Sequence, residues 1–349
     1  MAKGTRLLRI AIAGSGYGLR AYLPHLQRRQ PHVRFAGHWR PYGDMPTRDA
    51  PALQGPLITA GQGLHALGVD GVIIAVPPAV AEGMALTCVD EGMPCFLEKP
   101  VVLSDTAASA LGTAARALPV ATGYQFPGTA SFRALKTLIE EAAVGSIERV
   151  SVTWSVQSWA QRNRVHGWKV LADMGGGVFT TLGCHVLHAL DWLFGDVRFQ
   201  SGWVSNAITR SWLPGPDRAA NDTAVLNLSA GGAPDISVAL SNAMDGPPLH
   251  RWDVTGDRGR MIIENTGWDY VSGLRLNASF KDARRDIAVS DVKTDTYAPS
   301  WQRLDGFCAA IVQHHCDGDD MLRAGRVVAL INMIDRLAEK PQSNPPFMA

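Results

Sequence analysis

The apolar run Leu7–Ala13 ends directly on Gly14-Ser15-Gly16-Tyr17-Gly18-Leu19, and no other feature of the chain restricts its fold as much. A near-continuous apolar run of this length reads as a strand buried on both faces of a sheet, not as an alternating, half-solvated one. Tyr17–Gln30 then has helical spacing, with Pro24 an awkward member. A glycine loop between a strand and a helix is the setting in which G-x-G-x-x-G acts as a dinucleotide fingerprint. Gly14 would permit the tight turn and Gly16 would let the backbone approach a pyrophosphate. The helix N-terminus would offer amide donors. Leu19 stands where the third glycine belongs, and Gly18, one residue earlier, is placed to compensate. The alternative reading is a plain turn.

The same alternation continues. Val33–His38, Gly71–Val76, Pro94–Leu97 and Pro119–Thr122 read as strands, with Pro77-Pro78 stopping the second of these; Val80–Glu91 and Thr106–Ala117 read as helices. Strand and helix in turn imply a parallel sheet with crossover helices. Beyond Tyr124–Thr129 the character changes. Ser131–Glu141 and Val178–Phe194 are helical, and Ser146–Ser155 alternates like a half-buried strand. Gln200–Ala207, Asp222–Leu228, Ile236–Leu240, Arg251–Val254 and Met261–Glu264 are grouped strands, before helices over Trp301–Gln313 and Met321–Glu339. Grouped strands favour a mostly antiparallel sheet. With 349 residues and ~150 per domain, two domains are expected, 1–123 and 124–349, the last helices packing back on the first. The fold class is α/β for the N-terminal domain, joined to a C-terminal α+β domain with a large open sheet.

Charge narrows the partners. Lys plus Arg (33) against Asp plus Glu (32) leaves a net charge of +1, without the basic excess that phosphate contacts to nucleic acid require. Apolar runs fall short of the ~20 residues of a membrane span. The five cysteines are scattered without C-x-x-C, which together with an N-terminus running straight into a strand points to reduced thiols and a cytoplasmic protein. Cys184, His185 and His188 do not form a metal set, because neighbouring helical residues point about 100° apart at 3.6 residues per turn, and no metal is expected.

The second strand bears on which nucleotide binds. An acid ~20 residues past the loop usually holds the ribose 2′-OH of NAD. Here the strand ends Gly37-His38-Trp39-Arg40-Pro41. Arg40 is a planar guanidinium suited to a 2′-phosphate, so NADP(H) is favoured over NAD(H). Asp44 is the acid that could reverse this, and a plain surface arginine is the alternative.

Gly14–Leu26, Val76-Pro77-Pro78, Glu98-Lys99-Pro100, Trp168-Lys169, Gly175–Gly177, Gly183-Cys184-His185, Trp192–Gly195 and Thr255-Gly256-Asp257-Arg258-Gly259 occur in an order that resembles the Gfo/Idh/MocA oxidoreductases. The resemblance implies an N-terminal Rossmann domain and a C-terminal domain whose open sheet serves as a dimer or tetramer interface. It implies Lys99 and His185 as catalytic residues, with Tyr124, Trp168, Lys169 and Thr181 beside the substrate. Ser15, Tyr17, Pro77 and Glu98 join the glycines and Arg40 around the cofactor, and the peptide before Pro100 is a cis candidate. A solvated loop lysine at 99 and a core histidine at 185 are the alternatives.

Two positions depart from the family pattern. Thr181 stands four residues before His185 and His188 three after, where the family usually has Asp. A carboxylate at Thr181 would share the His185 face of the helix. Its absence argues for the reductive direction on a small sugar-like or polyhydroxylated substrate, by hydride transfer between nicotinamide and a carbonyl carbon. A redox-neutral NAD-dependent glycosidase, an imine reductase and a non-catalytic sugar or nucleotide sensor remain alternatives.

Overall fold

The computed structural model describes residues 7–29, 32–40, 57–58, 63–269, 271–281, 286–291 and 295–338. Asp44 lies outside them. The chain divides into two compact units, Met1–Tyr124 with Ser300–Val328, and Gln125–Pro299 with Ala329–Ala349.

The first unit holds a parallel six-stranded sheet of β1 (Leu8–Ala13), β2 (Val33–Trp39), β3 (Leu57–Ile58), β4 (Gly71–Ile74), β5 (Cys95–Leu97) and β6 (Val120–Thr122), ordered β3-β2-β1-β4-β5-β6. This is the Rossmann order, with the strand direction of travel reversing between β1 and β4. Leu8, Ile10 and Ile12 are at most 2% exposed, and burying each such side chain contributes ~1.5–3 kcal/mol. The helix expected over Tyr17–Gln30 is two short ones, α1 (Tyr17–Ala21) and α2 (Leu23–Arg28). Pro24 explains the break: it has no N–H, and its ring displaces the preceding turn. β4 ends ahead of Pro77-Pro78, and Pro78 also opens α3 (Pro78–Asp90), with Pro77 at its N-cap, because a proline is tolerated where the first helical N–H groups are unpaired anyway. In α4 (Asp105–Ala114), Ser104 caps by accepting from the Ala107 amide at 3.1 Å. Glu82 of α3 accepts from the Leu103 and Ser104 amides and the Ser104 hydroxyl. Burial works against its charge, but these bonds win and hold its pKa below the ordinary value.

The second unit is built on a mixed, mostly antiparallel eight-stranded sheet. Its strands are β7 (Ile147–Ser155), β8 (Arg198–Ser205), β9 (Thr223–Ala230), β10 (Ala233–Ser241), β11 (Leu249–Gly256), β12 (Gly259–Asn265), β13 (Arg275–Phe280) and β14 (Ile287–Ser290), in the order β14-β13-β12-β11-β7-β10-β9-β8. Only β7 and β10 among these pairings run parallel. β13 and β14 escaped the sequence reading, since both are short: Arg275–Phe280 alternates over only six residues, and Ile287–Ser290 has four, none of them buried. One face is apolar: Val150, Val152, Trp154, Val238, Leu240, Trp252, Val254 and Ile263 are at most 2% exposed. Helices α5 (Ala130–Glu140), α6 (Trp159–Arg162), α7 (Cys184–Phe194) and α8 (Ala207–Arg210) complete the unit. The first amides of α5 are taken by Asp291, which accepts from Ala130 and Ser131 at 2.9 Å each. The Thr255–Gly259 motif is a hairpin turn between β11 and β12. Asp257 there accepts the Ser146 amide at 2.9 Å, so the motif is a structural tie.

Two helices close the described chain, α9 (Ala298–Gln313) and α10 (Asp319–Leu337). From Ser300 to Val328 they belong to the first unit. Phe307 and Ile311 of α9 crowd the space beside Gly71 of β4, where a Cβ would lie 2.9 Å from Ile311 Cδ1. Asp320 of α10 accepts from Thr122 Oγ1 at the end of β6 and from Arg303. Among the described residues no helix is long and apolar enough to cross a membrane.

Candidate active site

The glycine loop sits at the carboxyl end of β1, beside the β1/β4 reversal where open parallel sheets hold ligands. Gly14 has φ +111°, and a Cβ there would run into the Ala75 carbonyl, so only glycine fits. Around Gly16 a Cβ would meet nothing within 4 Å, leaving open space above the N-cap of α1. Gly18 takes the packing role of the missing third glycine: a Cβ would lie 3.0 Å from Ala75 Cβ and 3.1 Å from Ile12 Cγ2. A tight turn, an open cradle and close helix–strand packing are the fit a dinucleotide pyrophosphate needs. Ser15 and Tyr17 are half-buried in the loop, and Tyr17 shares a hydrogen bond with Ser300 Oγ at 3.3 Å.

Arg40 follows β2 directly. Its amide donates to Ile58 O at 2.8 Å, and the residue is half-buried on the same carboxyl edge of the sheet. Pro77 follows β4 on that edge, and Glu98-Lys99-Pro100 follows β5. The Lys99–Pro100 peptide is cis. Glu98 turns into its own unit: the Tyr22 hydroxyl donates to Oε1, and the Lys99 amide donates to Oε2 at 3.2 Å. Burial pushes the Glu98 carboxyl above its ordinary range, against the opposing pull of the Tyr22 bond and the Lys99 charge. Tyr22, buried and facing Glu98, is likewise held well above the usual phenol value. Tyr124, just after β6, is only 1% exposed.

In the second unit the helix expected from Val178 begins as a π-turn, Phe179–Gly183, before α7. The i→i+5 bonds of the π-turn widen the winding locally, and Thr181 still stands one turn ahead of His185. Thr181 Oγ1 donates to Gly177 O at 2.7 Å and accepts from Asn242 Nδ2 at 2.9 Å. His185 is 3% exposed, with its ring 5.4 Å from Phe126 and 6.0 Å from Trp154. His250 stacks on Trp154 at 4.1 Å and accepts from Trp252 Nε1 at 2.8 Å; burial pushes it down to about 3. His188 is buried in α7.

Trp168 and Lys169 occupy a 3-10 turn, with Lys169 Nζ 5.9 Å from the Trp168 ring centre. Gly176 has no room for a Cβ against the Trp168 and Leu171 carbonyls, and the Gly177 amide donates to Lys169 O at 3.0 Å. The two motifs therefore form one cross-linked loop. Asp173 beside it pairs with Arg218 at 2.7 Å. Sequence reasoning missed Tyr22, Asn242 and the Phe126–Trp154–His250 ring cluster. Tyr22 carried one signal, its place at the break that Pro24 forces. Asn242 and the rings carried none, because strands far apart in sequence assemble them.

The comparisons with known proteins agree with this architecture. Residues 8–126 match the model of the oxidoreductase family with an NAD-binding Rossmann fold, and residues 132–262 that of the GFO/IDH/MocA C-terminal domain. An uncharacterized oxidoreductase of Synechocystis sp. is 26% identical over 281 residues, 77% of this chain and 75% of that one. A putative UDP-kanosamine synthase oxidoreductase subunit of Amycolatopsis mediterranei is 30% identical over 199 residues, 55% of this chain and 53% of that one. Among solved structures, a 3-ketoreductase from Actinomadura kijaniata in complex with NADP and TDP-benzene shares the fold with a TM-score of 0.74 at 16% identity, covering 96% of this chain and 99% of that one. A levoglucosan dehydrogenase in complex with NADH and levoglucosan gives 0.75 at 14%, covering 95% and 97%. Two matching family models in the right order, over a glycine loop that only glycine can build, identify this chain as an NAD(P)-dependent oxidoreductase of the Gfo/Idh/MocA family.

Proposed function

We propose that this protein reduces a carbonyl group of a small sugar-like substrate with NADPH, with Lys99 as the group that holds and delivers the proton. The observation that carries the reading is the placement of Gly14, Arg40 and Lys99 on one carboxyl edge of the parallel sheet. Bound nicotinamide supplies the hydride. Gly14, Ser15, Gly16, Tyr17 and Gly18 hold the pyrophosphate through backbone amides, Pro77 borders it, and Arg40 takes the 2′-phosphate as a charged, planar donor. A cationic Lys99 donates to a developing alkoxide. On the substrate side we assign Trp168, Lys169, Tyr124 and Thr181. The levoglucosan bound by the neighbouring levoglucosan dehydrogenase supports this class.

His185 enters as a second proton group, its ring oriented by Phe126 and Trp154. Its 3% exposure favours a second reading, a packed core histidine. His185→Asn separates the two: lost turnover with unchanged melting supports the proton role, and a lowered melting temperature with normal turnover supports the core role.

The open face of the C-terminal sheet carries Thr153, Ala239, Arg251, Asp253 and Ile262, all half-buried. We propose that it pairs two copies of the chain. Sedimentation of wild type and Ile262→Lys tests this, a wild-type monomer overturning it. The test of the main reading is a turnover screen with NADPH and NADH against keto sugars, and with the oxidised cofactors against pyranoses including levoglucosan. Consumption of neither cofactor with any of them overturns it.

A further inference from the structure

We infer that Tyr22 and Glu98 form a strut that sets the position of Lys99, so that both are positioning residues for the turnover assigned to it. The inference rests on the catalytic reading of Lys99 but starts from separate observations. Tyr22 stands at the break between α1 and α2 and is 0% exposed. A buried phenol requires a hydrogen-bond partner, and its hydroxyl finds Glu98 Oε1 across from the end of β5. The other carboxylate oxygen accepts the Lys99 backbone N–H at 3.2 Å. One side chain thus links the helix that follows the glycine loop to the residue before the cis peptide.

The surroundings are built to keep that link in place. Gly123, just past β6, leaves the room it needs: a Cβ there would lie 2.7 Å from Glu98 Oε1. Tyr22 is clamped edge-on by the rings of Tyr17 and Phe96 at 5.9 and 5.4 Å. The peptide before it is pinned from α9, where Trp301 Nε1 donates to Ala21 O at 2.6 Å. Burial disfavours the ionised Glu98 carboxylate. A carboxyl kept at such a place, when an amide would fill the same volume, indicates a geometric task in which two oxygens each accept a bond. The glycine loop and Lys99 then keep a fixed relation within the first unit.

Full-length Tyr22→Phe, Glu98→Gln, Lys99→Met and the Tyr22→Phe/Lys99→Met double variant test the strut. Amide hydrogen exchange needs no substrate. The Lys99 amide should exchange roughly tenfold faster in Tyr22→Phe and Glu98→Gln while β1 and β4 keep their protection. Unchanged exchange at Lys99 overturns the strut, whatever the protein turns over. With a sugar found in the screen, Tyr22→Phe should lower kcat about tenfold with the Kd for NADPH within about threefold. In the Lys99→Met background it should cost nothing further. Losses that multiply, or a loss of NADPH affinity that matches the fall in kcat, overturn the positioning role. Wild-type turnover by Lys99→Met would refute the catalytic reading of Lys99 and leave the exchange result standing.

Discussion

Asn242 donates its side-chain amide to Thr181 Oγ1 at 2.9 Å, and that hydroxyl in turn donates to Gly177 O at 2.7 Å. The hydroxyl is therefore used as donor and acceptor at once, tying the π-turn Phe179–Gly183 to the loop just ahead of it. Thr181→Asp can still accept from Asn242 but cannot donate to Gly177. It would set a carboxylate against a carbonyl oxygen. We expect ~1–3 kcal/mol of lost stability, read as a lower melting temperature, and no gain in oxidative rate. Thr181→Ser should melt like wild type.

Arg40→Ala should weaken NADPH binding by about tenfold or more, since a charged contact is worth ~1.5–3 kcal/mol, and should leave NADH binding unchanged. Fluorescence titration of both nucleotides measures this. Equal affinities in the wild type would remove Arg40 from recognition of the 2′-phosphate.

Lys99→Met should keep its fold and most of its NADPH affinity and lose ~10²–10⁴ in turnover, the range of a positioned proton donor. Circular dichroism, nucleotide titration and steady-state rates together check it.

His250 is held neutral far below its ordinary value of 6.5, down to about 3, by burial. Between those values the unfolded chain binds a proton that the folded one refuses, so stability is full above pH 6.5 and falls as the pH drops toward 3. Each unit in that window is worth ~1.4 kcal/mol. His250→Gln should flatten this acid limb in urea melts taken from pH 7 to pH 4. An unaltered limb would place the acid sensitivity elsewhere.

Local chemistry made much of this protein legible from its residues alone. The strand Leu8–Ala13 and its glycine loop are decided by apolar continuity and by a backbone that only Gly14 can adopt. The alternation of β and α up to Thr122 implied the parallel sheet, and the family motifs carried the second unit. Pro24 marked a break in the first helix, though not the tyrosine hydroxyl that the break would aim.

Tertiary structure decided what depends on distant partners. That Glu98 faces Tyr22 and the Lys99 amide follows from β5, β6 and α1 meeting around Gly123, which no spacing rule encodes. The π-turn that precedes the helix bearing His185 was not legible either: it lies where Gly183 leaves room for Phe179 and for Leu240 of β10. His250 stacks on Trp154 because β7 and β11 pair across some hundred residues of chain, and Phe126 and His185 reach the same rings from a turn and a helix outside the sheet. Sequence periodicity reports which side of an element is apolar. Which polar atoms meet inside is a property of three dimensions.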